Sequence, residues 1–286
     1  MREKNILTFL ILFFMFLSCN LAFAGEVMRE EATDVFFKAN EEYNAAQKEM
    51  AAKKEKEALA KFEHAAQLYE KLLEANFISG QIYYNLGNAY YRQGMAGRAI
   101  LHYRKAEKLL PRNADIKANI GLLKSDFEDK EAMHQAPEIL KIVCFWYFFL
   151  NLNEITAITI YMYLAFMASI LSIIFIRLQW LKKISVIFAS CLLVLVISLS
   201  LKAHNQYSIE RGVVIADECE IRYGPGEEYE PKFAIHEGAE IKIEEERNKW
   251  YKVYVYVDVE DIRDEEDKKD IEFKKGWIPK AKVGKI

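Results

Sequence analysis

The chain has 286 residues and a formal net charge of −3, with 39 Lys and Arg against 42 Asp and Glu. This near balance argues against a nucleic-acid-binding protein, which needs a concentration of basic residues. The four cysteines provide no disulfide framework, and the five histidines have no ligand spacing that would predict a metal site. Since catalytic and phosphate-binding motifs are also absent from the sequence, we expect a protein without cofactor and without enzymatic activity.

The first 24 residues have the pattern of a secretory signal peptide. A basic start and an apolar run precede the small residues Ala22 and Ala24, which form a cleavage site before Gly25. The alternative is a lipoprotein signal in which Cys19 is acylated. Both interpretations predict that the region after residue 24 is exported across the membrane.

Residues 26–136 have the composition of a helical domain, rich in Ala, Glu, Lys and Leu. Within it, residues 80–113 match the roughly 34-residue tetratricopeptide pattern at each signature position. Gly87 and Ala99 are small, so the two helices of the unit can approach closely, and Pro111 ends the second helix. The sequence therefore predicts one complete tetratricopeptide unit.

Incomplete copies flank this unit. Residues 33–75 form a degenerate first repeat with an insertion, and a further copy begins at Ala114 but stops after one helix. Whether the charged piece 53–57 continues one long helix or makes a turn is not decided by the sequence. About two and a half repeats predict a short α-solenoid, near the lower limit of autonomous stability.

The first helices of such repeats line a concave groove. Six residues are predicted to face a partner there: Gln81, Tyr84, Asn88, Tyr91, Arg92 and Asn119. Asn88 and Asn119 coincide with the asparagines of carboxylate-clamp repeats, but Tyr84 stands at the lysine place, which argues against a free carboxy-terminus as ligand. The alternative is that these polar residues form only a solvated helix surface.

Two apolar runs, residues 155–176 and 184–201, contain no charged side chain. As helices each can cross a hydrocarbon core of about 30 Å. The short connector 177–183 makes them an antiparallel hairpin, and its basic residues place it in the cytoplasm. Both flanking regions are then expected on the outer side of the membrane.

Residues 138–153, between the helical domain and the hairpin, are rich in aromatic side chains. The apolar part is too short to span a bilayer as a helix, so we expect it to lie in the outer headgroup region. Asn153 is predicted to cap the first transmembrane helix. Were this segment to span instead, the carboxy-terminal domain would be cytoplasmic.

Residues 209–286 change to the alternating pattern of β-strands. Turn signals at 224–226, 237–238 and 246–248 separate short apolar runs, which predicts five or six strands in a small barrel. The acidic insertion 258–270 is expected to be a solvated hairpin loop without bound metal.

The segments Ile221-Arg-Tyr-Gly-Pro225 and Gly276-Trp-Ile278 resemble the bacterial SH3 pattern. Tyr223, Trp250 and Trp277 are candidates for an aromatic groove that holds a proline-rich or peptidoglycan peptide. The alternative is that at least one of the tryptophans fills the core of the small barrel.

Taken in order, these segments resemble the BatE proteins of the Bacteroides aerotolerance (Bat) group over essentially the full length. The fold class is then an all-α tetratricopeptide module, a two-helix transmembrane hairpin and an all-β SH3-like barrel. The resemblance implies an adaptor that works with von Willebrand A-domain Bat proteins and a MoxR-type AAA ATPase. No catalytic residues come with it.

The expected location is a bacterial inner membrane crossed twice, with both soluble domains in the periplasm. Lipid and envelope proteins are therefore the expected partners. Two alternatives stay open: a peptidoglycan-binding anchor of the cell wall, and an accessory subunit of a membrane enzyme or transporter.

Overall fold

The structure is a computed structural model that describes residues 30–126, 138–176, 179–257 and 272–286. The chain divides into two compact units, one ending at Gly94 and the other beginning at Met95. The division falls in the turn that joins the two helices of the predicted tetratricopeptide unit.

The described part of the first unit is helical. Its helices are residues 30–51 (α1), Glu55–Glu74 (α2) and Gly80–Arg92 (α3). Lys53 lies in the turn between α1 and α2 with a φ of +60°, so the charged piece 53–57 begins with a break in the helix. The core of the unit includes Phe62, Tyr69 and Leu86, which are fully buried.

The second unit begins with helices Ala96–Leu109 (α4) and Ala114–Asp126 (α5). The signature residues of α4 are buried: Ala99, Tyr103 and Ala106. Pro111 follows the end of α4, as expected for a residue that cannot continue a helix. The Asn113 side chain then caps α5 by accepting hydrogen bonds from the N–H groups of Asp115 and Ile116, at 2.9 and 3.1 Å.

The aromatic segment forms two short helices, and two long helices follow it. Their bounds are Glu138–Val143 (α6), Phe145–Phe149 (α7), Leu152–Ile176 (α8) and Gln179–Tyr207 (α9). The predicted cap at Asn153 is wrong by two residues, because the Asn151 side chain accepts from the N–H of Glu154 at 2.8 Å. Asn153 lies inside α8 instead.

Helices α8 and α9 pack side by side. The buried hydroxyls of Ser169 and Ser185 are hydrogen-bonded at 2.8 Å, and these residues lie at similar distances from the connection, so the helices are antiparallel. Most of the predicted loop 177–183 is helical, since α9 begins at Gln179. Gln, Leu and Lys in this stretch are good helix formers, so α9 extends beyond its apolar run.

The carboxy-terminal β domain is a seven-stranded sheet in the described residues, so the predicted count of five or six strands is too low. The strands are Arg211–Val214 (β1), Glu218–Arg222 (β2), Pro231–His236 (β3), Glu240–Arg247 (β4), Trp250–Val257 (β5), Glu272–Pro279 (β6) and Val283–Lys285 (β7). Their order is β3-β2-β6-β5-β4-β1-β7, and the pairs are antiparallel. Ile221, Val253 and Ile278 lie in its buried core. The acidic insertion 258–270 lies outside the described residues.

Candidate functional site

A cavity of about 500 Å³ opens on the first unit, against α1, α2 and α3. Four asparagines dominate its lining, two from α1 and two from α3. The lining side chains are Phe37, Asn40, Glu41, Tyr43, Asn44, Tyr69, Asn85 and Asn88. Because an amide side chain both donates and accepts hydrogen bonds, such a lining can pair with the N–H and C=O groups of an extended peptide.

A hydrogen-bond network holds the inner part of this cavity in place. The Asn40 side-chain oxygen accepts from the Tyr69 hydroxyl at 2.6 Å and from the Asn85 amide at 2.9 Å. The Gln81 amide in turn donates to the Asn85 oxygen at 2.9 Å. Asn40 therefore links α1 to both α2 and α3. Its main role is to hold the three helices around the cavity in place.

The Tyr69 hydroxyl is the buried end of this network. Burial raises the pKa of Tyr69 to about 12, an effect that the nearby Asn85 amide partly offsets and Tyr43 reinforces. The hydroxyl thus remains a neutral donor throughout the physiological range. The hydrogen-bonded side chains of this network, Asn40, Tyr69, Gln81 and Asn85, are therefore all neutral and held in fixed positions.

The cavity has an acidic rather than a basic character. Glu41 is the only charged residue among the described side chains that line it. A clamp for a carboxy-terminus needs a cation to neutralise the carboxylate. The lining fits an internal peptide segment, neutral or basic, better than a free carboxy-terminus.

The predicted groove residues lie at different places. Asn88 lines the cavity, and Gln81 lines a neighbouring cavity of about 490 Å³. Tyr84 is half-buried on α3, and Tyr91 and Arg92 are exposed in the last turn of that helix. Asn119 belongs to α5 in the second unit.

The neighbouring cavity is mainly apolar, with Phe36, Leu72 and Phe77 among its lining residues. Phe37 lines both cavities, so the two are adjacent along α1. An apolar pocket beside an amide-lined one is the arrangement that holds a peptide by one side-chain anchor and by its backbone.

Sequence reasoning missed the contribution of α1, namely Asn40, Glu41 and Asn44. A signal was present, because Asn40 and Asn44 are four residues apart and share a helix face, as Asn85 and Asn88 do at a spacing of three. The uncertain boundary of the degenerate first repeat prevented the alignment of α1 with the groove.

In the β domain the three predicted aromatic residues are not equally accessible. Trp250 and Trp277 are only 9% and 8% exposed, whereas Tyr223 is 64% exposed. Both tryptophans alternate with core residues of their strands, and the Arg247 guanidinium lies 5.6 Å from the centre of the Trp277 ring. Neither tryptophan belongs to the core cluster, so both are buried on the face of the sheet opposite to Tyr251 and Ile278. Of the three residues, Tyr223 alone presents a ring to solvent.

The described residues contain no group of three or more His, Cys, Asp or Glu side chains placed to hold a metal ion. The Cys219 thiol lies in the core of the β domain, and burial raises its pKa. It therefore stays in the unreactive thiol form.

Residues 80–109 form a helix of 13 residues, a turn with a positive φ at Gly94 and a helix of 14 residues. The sequence profile of the tetratricopeptide repeat matches residues 80–113, which confirms the predicted unit. No curated protein matches the chain. The tetratricopeptide repeat indicates a scaffold for protein–protein interaction.

Proposed function

We propose that the protein is a membrane-anchored adaptor that holds a segment of a partner protein in the amide-lined cavity of its first unit, called the groove below. The observation that carries this proposal is the amide-lined cavity on helices next to and within the tetratricopeptide unit. The reaction class is binding alone, without catalysis. The occupant is an internal, extended segment, because Glu41 and four asparagines suit a peptide backbone and a neutral or basic side chain.

Insertion of α8 and α9 in a membrane is supported by their surfaces. Only 17% of the apolar window of α8 and 6% of that of α9 is buried, whereas a core helix of a soluble protein is mostly buried. Large side chains stand exposed along both: Ile160, Leu164, Leu171, Val186, Ile187 and Leu193. An apolar surface of this length suits lipid as its surroundings.

The hydroxyls of these helices give the same indication. Thr159 and Ser190 each donate to the carbonyl oxygen four residues earlier, at 2.7 and 3.0 Å. Such internal bonds leave fewer donors that would need water. We expect no ion or proton path through this hairpin.

The aromatic helices α6 and α7 are proposed to lie at the outer membrane surface. The Trp146 indole donates to the Ser198 hydroxyl near the end of α9 at 3.2 Å. Ile139, Ile142 and Phe145 stay exposed, which suits partial burial in the headgroup region.

Placement of both soluble regions on one side of the membrane follows from the hairpin. Contacts between α4, which precedes the hairpin, and the β domain, which follows it, support this arrangement. The basic residues Lys182 and Lys183 near the start of α9 favour the cytoplasm for that end of the hairpin, so the proposed location of both regions is extracytoplasmic.

The proposed partners are envelope proteins, with von Willebrand A-domain Bat proteins and a MoxR-type ATPase complex as the specific proposal from the sequence resemblance. The antiparallel sheet, with its short strands and buried tryptophans, is compatible with an SH3-like barrel. Membrane tethering raises the local concentration of partners in the same bilayer, so a modest affinity of the groove is sufficient.

Affinity purification of the full-length protein from crosslinked membranes tests this proposal. The double variant Asn44→Ala with Asn88→Ala removes two of the four asparagine amides that line the cavity and leaves Asn40, Tyr69 and Asn85 in place. We expect at least a tenfold loss of the co-purified partner proteins, quantified by mass spectrometry. The matched control is Glu63→Ala with Gln67→Ala, an exposed hydrogen-bonded pair on α2 that does not line the cavity. Equal recovery from both double variants would show that the groove is not the binding site.

A further inference from the structure

We propose that the β domain is the cap of the helical repeat array, bound permanently to α4 and α5, and not a separate module that is free to take a ligand on that face. Helix α4 packs against β1 and β7. Its contacting positions follow the helical spacing i, i+4, i+7 and i+11: Gly97, Leu101, Arg104 and Lys108. This stripe is distinct from the tetratricopeptide signature residues, so the repeat pattern does not account for it.

The first turn of α4 lies directly on the β domain. Met95, the residue before the helix, makes no capping hydrogen bond with its side chain. Instead the Gly97 N–H donates to the Glu237 carboxylate at 2.7 Å. A carboxylate at this end satisfies a free N–H and complements the helix dipole, so a residue 140 positions later in the chain supplies the missing cap.

Close packing accompanies this cap. A Cβ atom on Gly97 would lie 2.6 Å from the Val214 carbonyl oxygen, which is backbone of β1 and cannot turn aside. One turn further along α4, the Leu101 side chain is buried against Gly284 of β7. The Lys108 ammonium then donates to the Ile286 backbone oxygen at 3.2 Å. The contact therefore runs along most of the helix.

A charge cluster closes the contact. The Glu240 carboxylate on β4 accepts from Arg104 at 2.6 and 2.8 Å and from Lys124 of α5 at 2.9 Å. Arg104 and Glu240 are only 14% and 18% exposed. Although burial acts to raise the pKa of Glu240, Arg104 and Lys124 lower it further than burial raises it, so the carboxylate stays charged.

These contacts do what a further repeat would do. A repeat array leaves an open face at its end, and arrays need a terminal element that covers it. Here the described part of the array ends in the single helix α5, and one carboxylate of the β domain binds both α4 and α5. The partner of this helical face is thus the chain's own carboxy-terminal domain.

Two glycine substitutions in the full chain, held in lipid nanodiscs, test the proposal. They are expected to change the rate of amide hydrogen exchange in opposite directions. Alanine is the better helix former, so Gly121→Ala on α5, with no atom near its Cβ position, should leave amide hydrogen exchange unchanged or slower. Gly97→Ala should instead accelerate exchange in α4 and β1 at least tenfold relative to β5, because the added methyl group separates helix and sheet. The proposal is overturned if Gly97→Ala affects α4 no more than Gly121→Ala does.

If Gly97→Ala unfolds the β domain as a whole, a second pair of variants tests whether this domain is docked on α4. Glu240→Gln leaves Arg104 and Lys124 facing a neutral amide, and exchange in α4 should rise at least fivefold. Glu244→Gln on the same strand is the control, since its carboxylate pairs with Lys252 on the exposed face. Equal exchange in α4 for both variants would contradict a docked cap.

Discussion

The cavity of the first unit and the carboxy-terminal β domain differ in what their aromatic and polar side chains contact. In the groove, asparagine and tyrosine side chains surround an open cavity of about 500 Å³. In the β domain, the two tryptophans are more than nine-tenths buried. Its surface carboxylates Glu244 and Glu246 are paired with lysines of neighbouring strands and turns. Polar residues line an open cavity in one region and pair with one another in the other.

This difference concerns the stability of the two regions: the β domain depends on its buried core, whereas the first unit leaves an open cavity beside its own. Water and salt screen exposed ion pairs, so the paired charges of the β surface add little stability. Burial of its apolar core, which includes Ile221, Val253 and Ile278, contributes most. Within the first unit, Asn40 lines the cavity and also accepts two hydrogen bonds of its inner network, whereas Asn44 is an exposed residue of the lining.

The largest effect is expected for Trp277→Ala in the β domain. Loss of this 8% exposed side chain should lower the free energy of unfolding by about 3–5 kcal/mol. Chemical denaturation of the full chain in detergent, followed by hydrogen exchange in β5 and β6, measures the change.

Tyr223→Ala is the matched variant, because it removes an aromatic ring that is 64% exposed. Its effect should stay within about 0.5 kcal/mol, as for most surface substitutions. If the two variants destabilise the domain equally, burial does not separate the roles of these aromatic residues.

A smaller effect on stability is expected when the Tyr69 hydroxyl beside the cavity is titrated at alkaline pH. Tyr69 has its pKa raised to about 12 by burial, so the folded form holds its proton where the unfolded chain has lost it. Stability is therefore complete below about pH 10 and falls as the pH rises towards 12, by up to about 3 kcal/mol. Thermal melts followed by circular dichroism should show a steeper alkaline loss for the natural chain than for Tyr69→Phe. Parallel pH profiles of the two proteins would refute this assignment.

The tetratricopeptide unit illustrates how much the sequence could predict. Its signature residues recur at fixed spacing, so residues 80–113 could be assigned without a structure, and the repeat profile matches the same residues. The turn at Lys53 could not be decided, because a positive φ at a lysine leaves no trace in the pattern of apolar residues.

The smallest effect separates two asparagines of the same cavity. Asn40→Ala leaves the buried Tyr69 hydroxyl without its acceptor and should cost about 1–3 kcal/mol. Asn44→Ala, at an exposed residue of the same cavity, should change stability by no more than about 0.5 kcal/mol while weakening partner binding. Denaturation midpoints and co-purification yields, measured on the same two variants, distinguish them. Similar stabilities would mean that the inner network does not hold the groove in shape.

Contacts between distant segments were beyond sequence reasoning. Glu237 looked like part of a turn before a strand, and nothing local indicates that it caps a helix 140 residues earlier. Trp250 and Trp277 left two roles open for a similar reason, since an aromatic residue in a small sheet can pack inward or bind outward. Only the burial of each side chain in the folded domain favours one role.

The bidentate ion pair of Arg112 with Glu154, at 2.6 and 3.1 Å, ties the residues just after α4 to the first turn of α8. The Asn151 amide reinforces the joint by donating to the last carbonyl of α4, at Leu109. With 14 residues, α4 is about 21 Å long. In the proposed membrane arrangement its whole length stays within some 2–3 nm of the lipid headgroups. Juxtamembrane stalks of neighbouring membrane proteins are within that range, whereas distant parts of the periplasm are not.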